Sequence, residues 1–411
     1  MRNRLVSLLL IALLLLPACG MGAELDLNAP ASSPEPSAEP LPELSGEPLL
    51  ESPPMTLNCA SALLLEPESG QVIFELNADA PRPVASVTKV MTILLTLEAI
   101  DAGRITLDDI VTISPDAAGM GGSQVLLDVG ERQSVSLLLK SMIVGSANDA
   151  AVALAETLYG SEALCAAQMN ARAEALGMTN THFVNCTGLP AEGQHTSARD
   201  VAIMSMAMFS HPLYFQYSKI WLDEVDHGDG RTTQLTNTNK LIRLYTGCDG
   251  GKTVSTDEAG YCISATAERG DMRLIAVVLG APSGTERFEV AKEMFDYGFA
   301  NYRLYPVAQR GTPIRGQLPV VGGESDSLSL ELDGDLTLLI LKGSEQDIQL
   351  SPSLPESVEA PIELGERIGS VNVVVEGKNA ATIPIVASQA IDAKGLLPGL
   401  RRFWQNWIFQ F

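Results

Sequence analysis

The stretch PVASVTKVMT, Pro83–Thr92, sets a serine three residues before a lysine at the head of a long apolar run. Ser86 and Lys89 at that spacing share one face of a helix, so their tips can meet. A serine hydroxyl is a weak nucleophile near neutral pH and needs a base. A buried lysine supplies one, because burial disfavours its charged form. The same four residues also describe a surface hydroxyl near a helix start, and only the rest of the chain decides between the two.

Outward from this stretch the elements alternate. Residues 58–75, NCASALLLEPESGQVIFE, read as a hairpin around a Glu-Ser-Gly turn. VMTILLTLEAI continues Lys89 into a buried helix. Residues 137–157 read as two helices with small residues at the break, and residues 195–209 as a helix with a Thr/Ser cap. Residues 272–280, MRLIAVVLG, form a continuous apolar strand, and residues 286–300 a further helix. Strands at both ends of a helical middle predict an α/β or α+β body with one sheet. After Tyr302 short alternating strands with turn residues between them predict a second, β-rich domain over residues 303–388.

Two more small motifs lie in the first domain. VGSANDAA carries Ser146 and Asn148. Read plainly it is a helix start capped by Ser146; read chemically, Ser146 relays a proton and the Asn148 amide orients the lysine or the ligand. CDGGKTVST carries Lys252 and Thr253 after a turn, where a strand opens. Read plainly this is a strand edge with a solvated lysine. Read chemically, a cation and a hydroxyl on an edge strand hold a carboxylate while the strand backbone pairs with an extended peptide.

The ends have another texture. Arg2 and Arg4, the apolar Leu5–Leu16 and the ending Leu16-Pro17-Ala18-Cys19 predict a signal peptide over residues 1–19, hence export. The ending resembles a lipobox with Pro17 in an unusual place, which leaves both lipidation of Cys19 and ordinary cleavage nearby open. Residues 20–55 include a Pro-, Glu- and Ser-rich tether that cannot bury enough apolar surface to order itself. In residues 396–411, Leu400, Phe403, Trp404, Trp407, Ile408 and Phe411 fall on one helical face beside Arg401 and Arg402. That pattern, too short to span, predicts an amphipathic helix lying on a membrane surface.

A formal charge of −23, from 27 basic and 50 acidic residues, speaks against a nucleic-acid partner. The histidines His182, His195, His211 and His227 and the six cysteines show no short metal-ligand spacing, so no metal or other cofactor is expected. With Cys19 lipidated an odd number of cysteines remains. Cys248 and Cys262 either meet across a hairpin or stay separate buried thiols.

The three motifs gain force from their order. S-x-x-K, S-x-N and K-T-x follow one another as in the penicillin-recognising serine enzymes. Together with NADAPRPVASVTKVMT, GMGGSQVLLDVGE, THFVNCTGLPAEGQHTSARDVA, LTNTNKL and PIELGERIGSVNVVVEGK, they make the chain resemble the low-molecular-weight penicillin-binding proteins, the serine-type D-alanyl-D-alanine carboxypeptidases, from about Leu57 to Ser388. The resemblance implies a penicillin-binding/β-lactamase-like transpeptidase fold, with an antiparallel sheet flanked by helices over residues 56–302 and a small all-β domain after it. It implies that Ser86 attacks the bond between two D-alanines of a peptidoglycan stem peptide while Lys89 takes its proton. Ser146 and Asn148 assist proton transfer, Lys252 and Thr253 hold the terminal carboxylate, and the N–H groups of Ser86 and Ser255 form the oxyanion hole. Arg287 matches a family arginine near the carboxylate. β-Lactams acylate Ser86 as mimics, and the terminal helix is a familiar anchor at the outer face of the cytoplasmic membrane.

One departure stands out. The third motif reads Lys252-Thr253-Val254 where the family has K-T-G. A branched side chain pointing at the ligand weakens binding, and one pointing into a roomy side changes little. The alternative is therefore a catalytically weakened protein that binds peptidoglycan or β-lactams. A β-lactamase lacks support because no second glutamate motif is evident between Asn148 and Lys252, and a metallo-carboxypeptidase because the ligand cluster is missing.

Overall fold

The computed structural model describes residues 55–83, 85–375 and 377–395. The signal peptide, nearly all of the tether and the terminal amphipathic helix lie outside the described residues.

The first domain follows the chain as β1 (Ser61–Glu66), β2 (Gln71–Leu76), α1 (Lys89–Asp101), β3 (Ile110–Thr112), α2 (Pro115–Ala118), β4 (Arg132–Ser134), α3 (Val135–Gly145), α4 (Asn148–Tyr159), α5 (Glu162–Ala175), α6 (Ala198–Phe209), α7 (Pro212–Ser218), β5 (Leu222–Asp226), β6 (Thr232–Thr236), α8 (Leu241–Leu244), β7 (Cys248–Thr256), β8 (Gly260–Arg269), β9 (Met272–Ala281) and α9 (Gly284–Asn301). One antiparallel sheet runs β2-β1-β9-β8-β7, with β7 at its edge. The hairpin read at residues 58–75 is β1–β2, and the apolar run at 272–280 is β9, a central strand covered on both faces.

Alternation along the strands splits the sheet between two cores. Ala62, Leu64, Ala276 and Val278 face α9 with Phe295 and Phe299. Leu63, Leu65, Ile275 and Val277 face a helical layer built on α1, α3, α4 and α6. α1 is apolar nearly all round and buried accordingly, so the lysine at its head is carried into the interior. α6 begins where the sequence placed its cap, with Ser197 accepting from the Asp200 N–H.

The second domain is β-rich as expected. Lys378–Ala387 pairs with Arg367–Val375, which pairs with Ile348–Ser353, all antiparallel. Its core is Leu328, Leu330, Ile340, Val373 and Ile385. It joins the first domain where the Lys342 ammonium and N–H donate to the carbonyls of Phe299 and Asn301.

The cysteine hairpin is not formed. Cys248 lies opposite Ala267 and Cys262 opposite Val254, too far apart along the β7–β8 ladder to meet, and the five described cysteines are free thiols.

Candidate active site

Ser86 sits in a single 3₁₀ turn, Ala85–Thr88, that leads directly into α1. The turn begins with Ala85 in the left-handed region at φ 41°. Lys89, the first residue of α1, has no exposed surface. Its Nζ lies 3.0 Å from Ser86 Oγ and donates to the Thr187 carbonyl at 2.6 Å. Burial pushes the ammonium down from 10.5 to about 7, against the pull of the Cys186 thiol and of the Asp149 and Glu162 carboxylates. A neutral amine at this place spends one hydrogen on Thr187 and turns its lone pair to the serine proton.

The Asn185–Leu189 segment that supplies this carbonyl carried no assigned role in the sequence reading. Asn185 Oδ1 accepts from the N–H groups of Gly188 at 2.7 Å and Thr187 at 3.3 Å. Gly188, at φ +80°, passes so close to the Ser86 turn that a Cβ there would lie 1.9 Å from the Ala85 carbonyl oxygen. An asparagine three residues before a glycine is an Asx-turn signature, and that was the available signal.

Ser146 does not cap α4. It closes α3 in the left-handed conformation, φ 63° and ψ 28°, with its N–H on the Ser141 carbonyl, and Ala147 takes the N-cap place instead. The plain reading of this motif is thereby corrected, and Ser146 stays buried beside α4. Asn148 Nδ2 donates to the Gly121 carbonyl at 2.6 Å, while Asn148 Oδ1 is buried without a partner. Neither side chain is hydrogen-bonded to Ser86 or Lys89 among the described residues. The start of α4 nonetheless neighbours Lys89, since Asp149 lies within its electrostatic reach.

The third motif runs mid-strand in β7 rather than opening it, and β7 packs against the Ser86 turn. Lys252 is not solvated. It is 1% exposed, and burial, then repulsion from Lys89 and Arg287, holds it well below the ordinary lysine range. Two buried lysines from two motifs thus face one another electrostatically. Asn239 Nδ2 on the Gly250 carbonyl at 3.0 Å and the Gly251 N–H on Tyr214 Oη at 2.9 Å hold this strand. Neither residue was singled out from sequence, although LTNTNKL had drawn notice.

Thr253 is buried, Ser255 exposed. Val254, two residues beyond Lys252, shares its face and joins the core that also contains Val87 and Ala147. Arg287 reaches the same strand: its Nη1 donates to the Val254 carbonyl at 2.6 Å, and its Nε is buried without a partner. Three buried side-chain atoms around this turn and strand have no partner, Thr88 Oγ1, Asn148 Oδ1 and Arg287 Nε, and Ser86 is paired to a lysine that burial can neutralise. A serine held against a buried lysine is an arrangement capable of nucleophilic catalysis.

The chain matches the family described as D-alanyl-D-alanine carboxypeptidase over residues 48–283, and the penicillin-binding protein 5 C-terminal domain over residues 302–393. It is 36% identical over 348 residues to the D-alanyl-D-alanine carboxypeptidase DacF of Bacillus subtilis, covering 84% of this chain and 89% of that one. To DacA of Escherichia coli it is 34% identical over 342 residues, covering 82% and 84%. Penicillin-binding protein 5 of Haemophilus influenzae superposes with a TM-score of 0.74 at 30% identity, covering 83% of this chain and all of that one.

Proposed function

The chain belongs to the D-alanyl-D-alanine carboxypeptidase family of serine peptidases, and from that premise we propose that it removes the terminal D-alanine of peptidoglycan stem pentapeptides through an acyl-enzyme on Ser86. Lys89 takes the Ser86 proton as Oγ attacks the carbonyl of the penultimate D-alanine. The C–N bond breaks, the amine of D-alanine leaves with the proton that Lys89 took from Ser86, its transfer supported by Ser146 and Asn148, and water then hydrolyses the ester to free Ser86. Lys252, Thr253 and Arg287 hold the terminal carboxylate. The N–H groups of Ser86 and Ser255 receive the oxyanion, a donor of that kind contributing about 3–4 kcal/mol. β-Lactams acylate the same serine.

The observation that carries this reading is the Lys89–Ser86 contact at 3.0 Å with the lysine buried and lowered to about 7. A protein that only bound peptidoglycan would carry the cost of two buried lysines without using either as a base, which speaks against the weakened alternative. The rest of the domain plan belongs to the same proposal. A signal peptide over 1–19 exports the enzyme, a tether over 20–55 holds the folded part away from the membrane, and residues 396–411 lie on the outer face of the cytoplasmic membrane. No helix among the described residues is long and apolar enough to cross a membrane.

Intact-protein mass after incubation with penicillin tests the mechanism. The expected result is a penicilloyl adduct on the wild type and none on Ser86→Ala, with D-alanine released from a D-Ala-D-Ala peptide by the wild type alone. An adduct that persists on Ser86→Ala overturns the assignment.

A further inference from the structure

Asp149 follows Asn148 in the first turn of α4, is fully buried, and meets no cation in an ion pair among the described residues. Its carboxylate is satisfied by backbone instead. It accepts from the N–H groups of Val125 at 3.0 Å, Leu127 at 3.2 Å and Ala150 at 2.9 Å. Between the first two donors Leu126 holds φ 66°, a left-handed conformation that a leucine keeps only where its surroundings impose it.

The loop that Asp149 grips by its N–H groups is gripped by Asn148 through its carbonyls. The Ser123 carbonyl accepts from the Asn148 N–H at 2.7 Å, and the Gly121 carbonyl takes Asn148 Nδ2 at 2.6 Å. Gly122 lies between them at φ +77°, where a Cβ would come 2.9 Å from Asn148 Nδ2. The contact at Gly121 fixes the plane of the amide and leaves its Oδ1 buried without a partner, ready to accept one N–H.

We propose that Asp149 is a positioning residue for acyl transfer: by clamping the Val125–Leu127 backbone it sets the Gly121 carbonyl that fixes the plane of the Asn148 amide. The proposal rests on the reading of Ser86 as the acylated residue. It assigns to one buried carboxylate the link between a loop and the Asn148 side chain, and it distinguishes Asp149 from a group that merely stabilises the start of α4. Acting through Asn148 has a consequence that general stabilisation lacks, namely that the effect of losing Asp149 disappears once the Asn148 amide is gone.

The experiment is a double-variant cycle on the full chain, reading the rate of penicillin acylation by mass and kcat/KM for D-alanine release from a D-Ala-D-Ala peptide. Asp149→Asn places an amide against backbone donors and is expected to lower both rates tenfold or more, mostly in kcat. Added to Asn148→Ala, it is expected to change them by less than twofold. Losses that multiply in the double variant, or wild-type rates for a folded Asp149→Asn, overturn the proposal. Should Asp149→Asn fail to fold, Gly122→Ala decides: a loss present in the wild-type background and absent beside Asn148→Ala supports the link, and wild-type rates break it. A folded wild type that forms no adduct overturns the Ser86 mechanism and this proposal with it, whereas a wild type that acylates confines any failure to Asp149.

Discussion

The two domains bury different things. In the first, Lys89, Asn148, Asp149, Asp200 and Lys252 are among the buried side chains, while the buried side chains described from Ala308 onward are all apolar. The second domain is an ordinary solution to strand alternation, with apolar residues inward and polar residues outward. The first accepts desolvated charge, which costs stability unless hydrogen bonds and packing offset it. Part of that cost lies beside Ser86, where Lys89 and Lys252 disfavour one another's charge and where Thr88, Asn148 and Arg287 each keep a polar atom unpaired. The difference separates a domain that buries charge from one whose described interior is apolar throughout.

The strongest way to break that comparison is to keep the charge and remove the base. Lys89→Arg retains a buried cation, but a guanidinium does not deprotonate in proteins. Acylation by penicillin is expected to fall about 1,000-fold, the middle of the range for general-base catalysis. The wild type carries a pH signature of the same group. Only the neutral amine accepts the Ser86 proton, so with Lys89 near 7 acylation should climb with pH through about 7 and then level off. The same depressed value makes Lys89 a burden on folding below about pH 7, one that lifts as pH rises toward 10.5, because the unfolded chain binds the extra proton across that window. An acylation rate that is flat from pH 6 to 8 removes Lys89 from the base's role.

The converse variant belongs to the second domain. Ile385 lies on the central strand Lys378–Ala387 with no exposed surface. Ile385→Ala should lower the unfolding free energy of that domain by about 2–5 kcal/mol, by lost transfer energy and the cavity left behind. Thermal unfolding reads this, and penicillin acylation per folded molecule should stay at the wild-type rate. Acylation that falls with stability would make the two domains one functional unit and end the contrast.

How far the sequence reaches follows the same division. The β1–β2 hairpin, the buried helix after Lys89, the capped helix at Ser197 and the β-rich second domain were all legible, because periodicity and turn residues are local properties. The pairing of Ser86 with Lys89 was legible as well, since three residues on one face are also local. What escaped was non-local. The Thr187 carbonyl meets Lys89 from 98 residues away, Tyr214 and Asn239 brace the third motif from other elements, and Asp149 acts through a loop more than 20 residues upstream. The plain reading of Ser146 as a cap of α4 fails because a serine between two helices serves either end, and only its left-handed φ assigns it to α3. Lys252 looked solvated because nothing in CDGGKTVST reveals that the Ser86 turn packs over its strand.

Val254 sharpens the comparison most finely, since it sits at the chemical site and packs like a residue of the other domain. Its side chain is 8% exposed, on the face of β7 that meets the helical core, and its carbonyl is held by Arg287 at 2.6 Å. Val254→Gly restores the family's K-T-G. It should cost about 2 kcal/mol of stability, combining lost apolar burial with the conformational freedom of glycine in a strand. The acylation rate should change by less than about threefold, because on this geometry the valine fills core volume instead of ligand space. Thermal unfolding and penicillin acylation on one preparation separate the two effects. A tenfold gain in acylation would mean that the branched side chain obstructs the ligand after all, and that this enzyme trades turnover for a better-packed strand.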